Sequence, residues 1–459
     1  MLISPRLGFN WDIKGDRSIV LTGGTGLFTG LLPFVWFTNQ PTNAGQMQNM
    51  VEFETSELPA NFAFNPNYKE TLTQNPDMFP STPGNEVPGA IAYVDPNFKM
   101  PQVWRSNVNA EFQLPYGFML SVGAMYTRDI YNVVQKNMNE KAPSGTYNEQ
   151  PGRVYWTKNN YYDNPKTKTV IQLTNGDEKG YQYSFNAVLT KKFDFGFTGS
   201  FGYTYTMAKD MTANPGSSAA SVWQNNVAVN SLNDPGVSYS LFSTPHRLIA
   251  NASYEIAYAN MKTTVSLFYT GYQQGRFSYT YSNDMNGDGN YSDLMYVPAS
   301  KEEMTFVDIK DKQNNVTYTA EEQQEDFWNY VNSDSYLSER KGQYVERASS
   351  LEPWIHRFDM KIAQDFYAKI GNRKYGIQVS LDMLNIGNLL NSKWGAYRSC
   401  GLQSYDNVRL LKTASKVGEP LTYQMNASSR EAFQKNSKWD YTASTGSAWQ
   451  MQLGVKFTF

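Results

Sequence analysis

The chain closes with Trp449-Gln450-Met451-Gln452-Leu453-Gly454-Val455-Lys456-Phe457-Thr458-Phe459, a stretch that alternates apolar and polar side chains up to the final residue. Successive side chains of an extended strand point to opposite faces, so the alternation predicts a strand with one apolar and one polar face. The apolar face would carry Trp449, Met451, Leu453, Val455, Phe457 and Phe459. Two folds use such a strand: a transmembrane β-barrel, where the apolar face meets lipid, and a soluble sandwich, where it meets a core.

The same alternation recurs upstream in five pairs of segments, and each pair is joined by a short turn. The pairs cover residues 6–13 and 18–28, 107–114 and 118–126, 181–189 and 195–205, 247–256 and 263–269, and 357–366 and 374–385. Alternating segments that are separated by short turns predict β-hairpins. Five hairpins and the closing strand make eleven antiparallel strands.

The fifth pair separates the two folds most clearly. One face carries Arg357, Asp359, Lys361 and Asp365, whereas the other carries Phe358, Met360, Ile362 and Phe366. A Lys or Arg on the lipid face near mid-bilayer costs roughly 2 to 4 kcal/mol, but a charge in a wet lumen is solvated or paired. A dry sandwich core would not hold all these charges, so the distribution favours a barrel with a polar lumen.

Long polar connections follow the hairpins, at residues 29–103, 129–180, 208–245, 273–353 and 386–446. Structureless connections of such length are evidence against an ordinary compact domain. Outer-membrane barrels have short periplasmic turns at one end and long extracellular loops at the other. The alternation of connection lengths therefore predicts strands that cross an outer membrane.

Composition restricts the classes of function. Lys and Arg (40) nearly balance Asp and Glu (42), so the chain lacks the broad basic surface that nucleic-acid binding needs, and nucleic acid is not an expected partner. Aromatic residues make up 15% of the chain, yet the mean hydropathy is −0.55. Barrel strands expose only half of their side chains to lipid, which reconciles the two values. Cys400 is the single cysteine, so no disulfide can form within the chain.

The first residues, Met1-Leu2-Ile3-Ser4-Pro5, show no basic segment, apolar core or cleavage site of a secretory signal. The count of eleven strands is also odd, whereas a barrel with both termini in the periplasm needs an even number. We therefore expect that the complete protein has further strands upstream of Met1.

Five segments stand in an informative order: Ser4-Pro5-Arg6-Leu7-Gly8-Phe9, Gly26-Leu27-Phe28-Thr29-Gly30, Pro101-Gln102-Val103-Trp104-Arg105, Asp382-Met383-Leu384-Asn385-Ile386-Gly387-Asn388-Leu389-Leu390-Asn391, and the closing strand. In this order they resemble the C-terminal half of TonB-dependent outer-membrane receptors. The resemblance is closest to the Oar-like branch, which is related to the SusC-like nutrient transporters, and it spans residues 1–459.

The resemblance implies an all-β antiparallel transmembrane barrel of roughly 22 strands with long extracellular loops, to which this chain would contribute the last eleven strands. It implies uptake of a nutrient ligand, such as a glycan, a peptide or a metal chelate, at the outer membrane of a Gram-negative bacterium. The implied partners are outer-membrane lipid, a surface lipoprotein and a TonB-type energy transducer that acts on the full-length protein. The plug domain, the transducer-binding box and the signal peptide have no counterpart in this chain. Phe459 matches the terminal aromatic residue that the barrel-assembly machinery reads.

One segment has the pattern of a calcium loop. Asp284, Asn286, Asp288, Asn290 and Asp293 place oxygen ligands around a Gly-rich turn, with Gly289 at the sixth position. The twelfth position is Met295, where an EF-hand loop has its bidentate Glu. The same residues also fit a turn whose Asp and Asn side chains bond to its own backbone, so calcium binding and a self-bonded turn both stay open.

No catalytic constellation is visible, so we do not expect an enzyme: the chain has no nucleophile elbow, P-loop or Rossmann fingerprint. His246 and His356 stand at strand starts without a second His or Cys at metal spacing, and hydrogen bonding at the interface or in the lumen is expected for them. The alternative to a receptor barrel is a secreted or surface all-β module that binds glycans through its aromatic loops.

Residues 319–331 predict a helix inside one long connection. Thr319 is in place to cap it, and acidic side chains occupy its first turn. Phe327, Trp328 and Val331 would form an apolar stripe that packs on the base of the loop.

Overall fold

The computed structural model describes residues 2–43, 53–59, 62–63, 65–79, 90–158, 160–162, 169–371, 373–404, 406–426, 430 and 438–459. Its eleven long β-strands confirm the number predicted from the alternation. They are β1 (Arg6–Asp12), β2 (Ile19–Thr29), β3 (Gln102–Leu114), β4 (Phe118–Tyr131), β5 (Tyr181–Lys192), β6 (Phe197–Asp210), β7 (His246–Tyr258), β8 (Met261–Gln273), β9 (Trp354–Ile370), β10 (Arg373–Leu384) and β11 (Gln450–Thr458).

These strands form one antiparallel sheet in which each strand pairs with its neighbours in the sequence. Within the described residues, β1 pairs only with β2 and β11 pairs only with β10. Because the order is strictly sequential and antiparallel, all short turns lie at one end of the sheet and all long connections at the other. This arrangement confirms the predicted alternation of connection lengths.

The two faces of the sheet differ in chemistry as the alternation predicts. On the apolar face, Leu381 of β10 lies between Ile362 of β9 and Leu453 of β11. On the polar face, Nζ of Lys361 lies 2.7 Å from Oδ1 of Asp382. The register places every acidic residue of the eleven strands on this polar face: Asp12, Glu111, Asp129, Asp210, Glu255, Asp359, Asp365 and Asp382.

Among the described residues, no further layer of protein covers the apolar face. Leu453 exposes 73% of its surface and Val455 exposes 72%, and most other large apolar side chains on this face are also exposed. A sandwich strand would bury these side chains in a core. The exposure therefore favours the barrel interpretation over the sandwich.

In their described residues, the long connections contain helices and short strands. Their described helices are α1 (Val35–Asn43), α2 (Tyr68–Gln74), α3 (Ala219–Gln224), α4 (Ala320–Ser333) and α5 (Ile386–Leu390). Single 3-10 turns lie at Thr55–Glu57, Lys301–Glu303 and Leu337–Glu339, and a further one, Pro115–Gly117, joins β3 to β4. No helix within the described residues is long and apolar enough to cross a membrane.

Short strands join the connections to one another. One small sheet contains Arg276–Tyr281, Ser350–Leu351, Gln403–Ser404, Asn407–Thr413 and Tyr423–Met425, and another contains Ala90–Val94, Val134–Asn137 and Thr169–Thr174. Four pairs are Gly145–Thr146 with Val154–Tyr155, Tyr296–Val297 with Gln343–Tyr344, Ile309–Lys310 with Val316–Tyr318, and Arg398–Ser399 with Asp440–Tyr441. Ser238–Tyr239 pairs with β6. The connections therefore build a layer of their own at one end of the sheet.

The largest cluster of buried apolar side chains lies in this layer. Tyr279, Tyr281, Val408, Leu410 and Leu411 are fully buried there. A sheet with a wet polar face and an exposed apolar face has no core of its own. The apolar residues of the connections therefore bury against one another, because removing apolar area from water is the main favourable contribution to folding.

Leu453 and Gln452 offer a matched test of the two faces, because they are neighbours on opposite sides of β11. We expect Leu453→Lys to lower the free energy of unfolding in a phospholipid bilayer by about 2 to 4 kcal/mol, since the ammonium group would face lipid. Gln452→Lys adds the same charge beside Asp382 on the polar face and should change that free energy by less than about 1 kcal/mol. Urea titration followed by heat-modifiable gel migration measures both values. Equal losses would contradict the assignment of the faces.

Candidate functional site

The Asp- and Asn-rich turn at residues 284–293 is folded around the carboxylate of Asp284. Its Oδ1 accepts the backbone N–H groups of Gly287 at 2.7 Å and of Asp288 at 3.1 Å, and its Oδ2 accepts that of Gly289 at 2.8 Å. Gly287 and Gly289 have φ angles of 80° and 85°, a region in which a Cβ atom is strained. The two glycines therefore let the backbone wrap around the carboxylate.

Two further side chains bond inside the same turn. Oδ1 of Asn286 accepts the backbone N–H of Asp288 at 2.9 Å, and Oδ1 of Asp288 accepts that of Asn290 at 2.7 Å. The side chains of Asn286, Asp288 and Asn290 are all buried. The structure thus brings Asp284, Asn286, Asp288 and Asn290 together, with the bonds expected of a self-bonded turn.

Asp293 links this turn to two other connections through Arg153. Oδ2 of Asp293 accepts the backbone N–H of Met285 at 3.2 Å, and Oδ1 lies 3.2 Å from Nη1 of Arg153. Arg153 is fully buried and also donates to the carbonyl oxygens of Val229 and Leu294. One guanidinium group therefore holds three long connections in register.

Burial dominates the electrostatics of the turn. It raises the pKa of Asp288 to about 7, and the nearby charge of Asp284 adds to the rise. Burial also raises the pKa of Asp293 well above its ordinary value, although Arg153 opposes this, and it raises the pKa of Asp284 despite that residue's backbone bonds. The charges of Asp284 and Asp288 further raise the pKa of Asp293. A cation bound among these carboxylates would relieve that repulsion.

The arrangement of the carboxylates does not by itself form a metal centre. Among the residues that the structure describes, no group of three or more Asp, Glu, His or Cys side chains is placed to hold a metal ion. Asp284 bonds to backbone N–H groups through both oxygens, and Asp293 is paired with Arg153. Calcium binding by the turn stays a prediction.

A cavity of about 570 Å³ adjoins this turn. Its wall combines residues 289–292 of the turn with Gln224 and Asn225 at the end of α3 and with Asp406 and Asn407 of another connection. A cavity of this size holds a small-molecule ligand or part of a larger one. The candidate site is therefore formed jointly by three long connections.

Two arginines contribute to the cavity in different ways. Nη1 of Arg347 donates to Oδ1 of Asp210 at 2.8 Å, so its charge is paired. Arg409 has no carboxylate within ion-pair distance among the described residues, and its Nη2 donates to the carbonyl oxygen of Tyr291 at 3.3 Å. Tyr291 itself is exposed in the same wall. The cavity thus offers amide groups, a guanidinium group and an aromatic ring to a polar ligand.

A second cavity, of about 480 Å³, lies on the polar face of the sheet against Gln182, Thr204 and Arg247. Leu241 borders the first cavity, whereas its neighbours Ser240 and Phe242 border the second. Residues 240–242 therefore border both the cavity among the loops and the cavity on the polar face of the sheet.

Several sequence predictions are met outside the cavity. Helix α4 begins after Thr319, whose hydroxyl accepts the backbone N–H of Glu322, and Phe327 and Val331 are buried in the loop cluster with Trp328 packed against it. His246 and His356 lie on the apolar face of the sheet at its loop end, where each bonds to a tyrosine hydroxyl.

Sequence reasoning missed Arg153, Arg347 and Arg409. An arginine in a polar connection is expected to be solvated, and no periodic sequence pattern predicts that it is buried. A hint was available for Arg153 alone, because the acidic turn needs a counter-charge that it does not contain.

The outer membrane beta barrel domain family model matches residues 1–394. No curated protein matches the chain. The outer membrane transporter YddB from Escherichia coli is similar at 10% identity and a TM-score of 0.43, over 99% of this chain and 40% of that one. The siderophore receptor PirA from Acinetobacter baumannii is similar at 10% identity and a TM-score of 0.37, over 84% of this chain and 37% of that one. The chain thus spans less than half the length of either structure, and likenesses this distant say nothing about what it binds.

The raised pKa of Asp288 gives the turn a defined pH dependence. An unfolded Asp titrates near 3.8, so between that pH and about 7 the folded turn binds more protons than the unfolded one. Its stability therefore falls as the pH rises through this window, and Asp288→Asn should remove the share of the fall that Asp288 contributes. Hydrogen exchange of the amides at 284–293, corrected for the intrinsic rate at each pH, measures this stability. The same pH dependence in both proteins would contradict the raised pKa.

Calcium provides a separate test of the turn. If the cation binds among Asp284, Asp288 and Asp293, added Ca²⁺ should slow amide exchange at 284–293 above pH 7, where the Asp288 carboxylate is ionised. Mg²⁺ serves as the control, since it favours a smaller octahedral site. Exchange that Ca²⁺ leaves unchanged in the native chain would favour the self-bonded turn alone.

Proposed function

Because the chain belongs to the outer membrane β-barrel domain family, we propose that it forms part of the barrel of a TonB-dependent receptor of the Oar-like type, related to the SusC-like transporters. In this proposal residues 1–459 supply the last eleven of roughly 22 strands, and the plug domain and signal peptide belong to the full-length protein. The protein acts in the outer membrane of a Gram-negative bacterium. It takes up a nutrient ligand, which is a glycan, a peptide or a metal chelate, and performs no enzymatic step.

The observation that supports uptake most strongly is the adjacency of the two cavities. The cavity among the loops offers amide and guanidinium groups and is large enough for a ligand, and residues 240–242 border both this cavity and the cavity on the polar face. The backbone N–H of Ser240 is held by the carbonyl oxygen of Ala208 on β6 at 2.9 Å. In this proposal, a ligand in the cavity among the loops reaches the lumen by displacing residues 240–242.

The proposed partners follow from the same assignment. Outer-membrane lipid covers the apolar face, and the barrel-assembly machinery reads Phe459 at the end of the closing strand. A TonB-type energy transducer acts through the full-length protein, and a surface lipoprotein could cover the loops. Nucleic acid is not among the partners. A soluble glycan-binding module is less well supported, because it would have to keep the apolar face in water.

Uptake can be tested in cells that carry the full-length gene. We expect fluorescent glycans, peptides or ferric chelates of one class to enter, and we expect entry to stop when the TonB-type transducer is deleted. Gln224→Trp should reduce entry several-fold, because the larger side chain occupies the cavity among the loops. Lys312→Trp, at an exposed position of another connection, is the matched control and should leave entry unchanged.

Two outcomes would contradict the proposal. Entry that persists without the transducer would contradict the proposed TonB dependence. The receptor assignment as a whole would be contradicted if the chain stays soluble without detergent and shows no heat-modifiable migration after extraction from outer membranes.

A further inference from the structure

Two tyrosine–histidine pairs of the same geometry lie at the loop end of the apolar face. The hydroxyl oxygen of Tyr203 lies 2.8 Å from Nδ1 of His246, and that of Tyr269 lies 2.8 Å from Nδ1 of His356. The rings of each pair are stacked, with centroids 6.1 Å apart in both cases. The chain has 2 histidines, and the sheet places both in the same setting.

Trp354 joins the two pairs. Its ring stacks on His356 at a centroid distance of 5.8 Å and on His246 at 6.1 Å. The five residues Tyr203, His246, Tyr269, Trp354 and His356, here called the Tyr–His cluster, all point to the side of the sheet that carries Phe358. The cluster is therefore on the outer wall, away from the lumen.

The height of the cluster places it at the membrane surface. His246 and Tyr258 are the first and last of the 13 residues of β7. Twelve steps of about 3.4 Å, at a strand tilt of about 40°, span roughly 30 Å along the membrane normal. The apolar band of an outer-membrane barrel is about 25 Å tall. With the short-turn end of β7 at the inner edge of this band, His246 lies just above the hydrocarbon, level with the headgroups of the outer leaflet.

The two pairs are able to donate hydrogen bonds to an anion. When the tyrosine hydroxyl donates to Nδ1, the neutral imidazole carries its hydrogen on Nε2, and a protonated imidazole carries one there as well. Among the described residues, neither Nε2 atom has a hydrogen-bond partner, and His356 is exposed. Each pair thus presents one N–H group outward.

Among the residues of the eleven strands, the charged side chains on the outer face near the loop end are basic. Arg128 and Lys209 lie near the loop ends of β4 and β6 on the same outer face, whereas all acidic residues of the eleven strands lie on the polar face. An outer wall with basic groups and outward N–H donors at headgroup height is complementary to an anionic headgroup.

A shallow groove of about 520 Å³ extends from the cluster over the apolar face. Tyr269 and His356 line it at the loop end, and Ala252 and Leu267 line it further towards the short turns. The small side chains of Ala250 and Ala252 leave room between larger neighbours. The groove therefore offers an apolar channel directly below the outward N–H groups.

From this arrangement we propose that the Tyr–His cluster binds a phosphate group of a phosphorylated outer-leaflet glycolipid, with one of its acyl chains in the groove. The proposal rests on membership of the outer membrane family and is independent of the ligand that the receptor takes up. Its consequence is that one lipid remains attached to this wall when the bulk membrane is removed.

The test is native mass spectrometry of the purified full chain in detergent, titrated with diphosphorylated lipid A. The double variant His246→Phe/His356→Phe keeps the stacked rings but removes both N–H donors. We expect its Kd for diphosphorylated lipid A to rise about tenfold, which corresponds to about 1.4 kcal/mol for two hydrogen bonds. Dephosphorylated lipid A should bind the native chain and the variant equally.

Two further variants keep the test specific. Tyr254→Phe removes a hydroxyl from the same face outside the cluster and should leave the Kd unchanged. His246→Gln/His356→Gln retains N–H donors and should recover part of the lost affinity, and heat-modifiable migration shows that each variant is folded. The proposal is overturned if the Phe double variant binds diphosphorylated lipid A as tightly as the native chain. It is also overturned if inorganic phosphate at an equal phosphate concentration displaces the lipid.

Discussion

The contact of one sheet with lipid on one face and with water on the other is the constraint on which the rest of the structure depends. It confines every acidic residue of the eleven strands to one side. Lys361 of β9 therefore pairs with Asp382 of β10 on the polar face, and Leu381 of β10 lies opposite Leu453 of β11 on the apolar face. It also denies the sheet a core. The apolar residues that a soluble domain would place between two layers gather instead in the connections, where Tyr279, Tyr281 and their neighbours are fully buried.

The connections are in turn organised by a buried ion pair between Arg153 and Asp293. Removing two charges from water is costly, and a pair of this kind persists because additional hydrogen bonds satisfy both groups. Arg153 donates to two carbonyl oxygens on different connections, and Asp293 accepts a backbone N–H of the acidic turn. The pair therefore fixes the relative position of three connections. The shape of the cavity among the loops depends on the relative position of these connections, because the acidic turn forms one of the cavity walls.

The strands and the candidate site differ in how far the sequence predicts them. Period-two alternation is a local property, and so is the capping of α4 by Thr319 three residues before Glu322; both are therefore predicted with close to the observed bounds. The folding of the connections depends on contacts between distant residues. Nε2 of Gln150 donates to the hydroxyls of Tyr281 and Tyr423, which lie 131 and 273 positions further along the chain. No local pattern encodes such pairs, so the buried arginines and the cavity emerge only from the structure.

One face of the sheet meets lipid and the other meets water, and accessibility along the closing strand tests this assignment most directly. Single cysteines at 449–458, in a chain whose buried Cys400 is replaced by Ser, can carry a fluorophore in a phospholipid bilayer. Brominated lipid should quench the label at 449, 451, 453, 455 and 457, whereas aqueous iodide should quench it at 450, 452, 456 and 458. Quenching by iodide at all positions, or quenching without a period of two, would contradict the account.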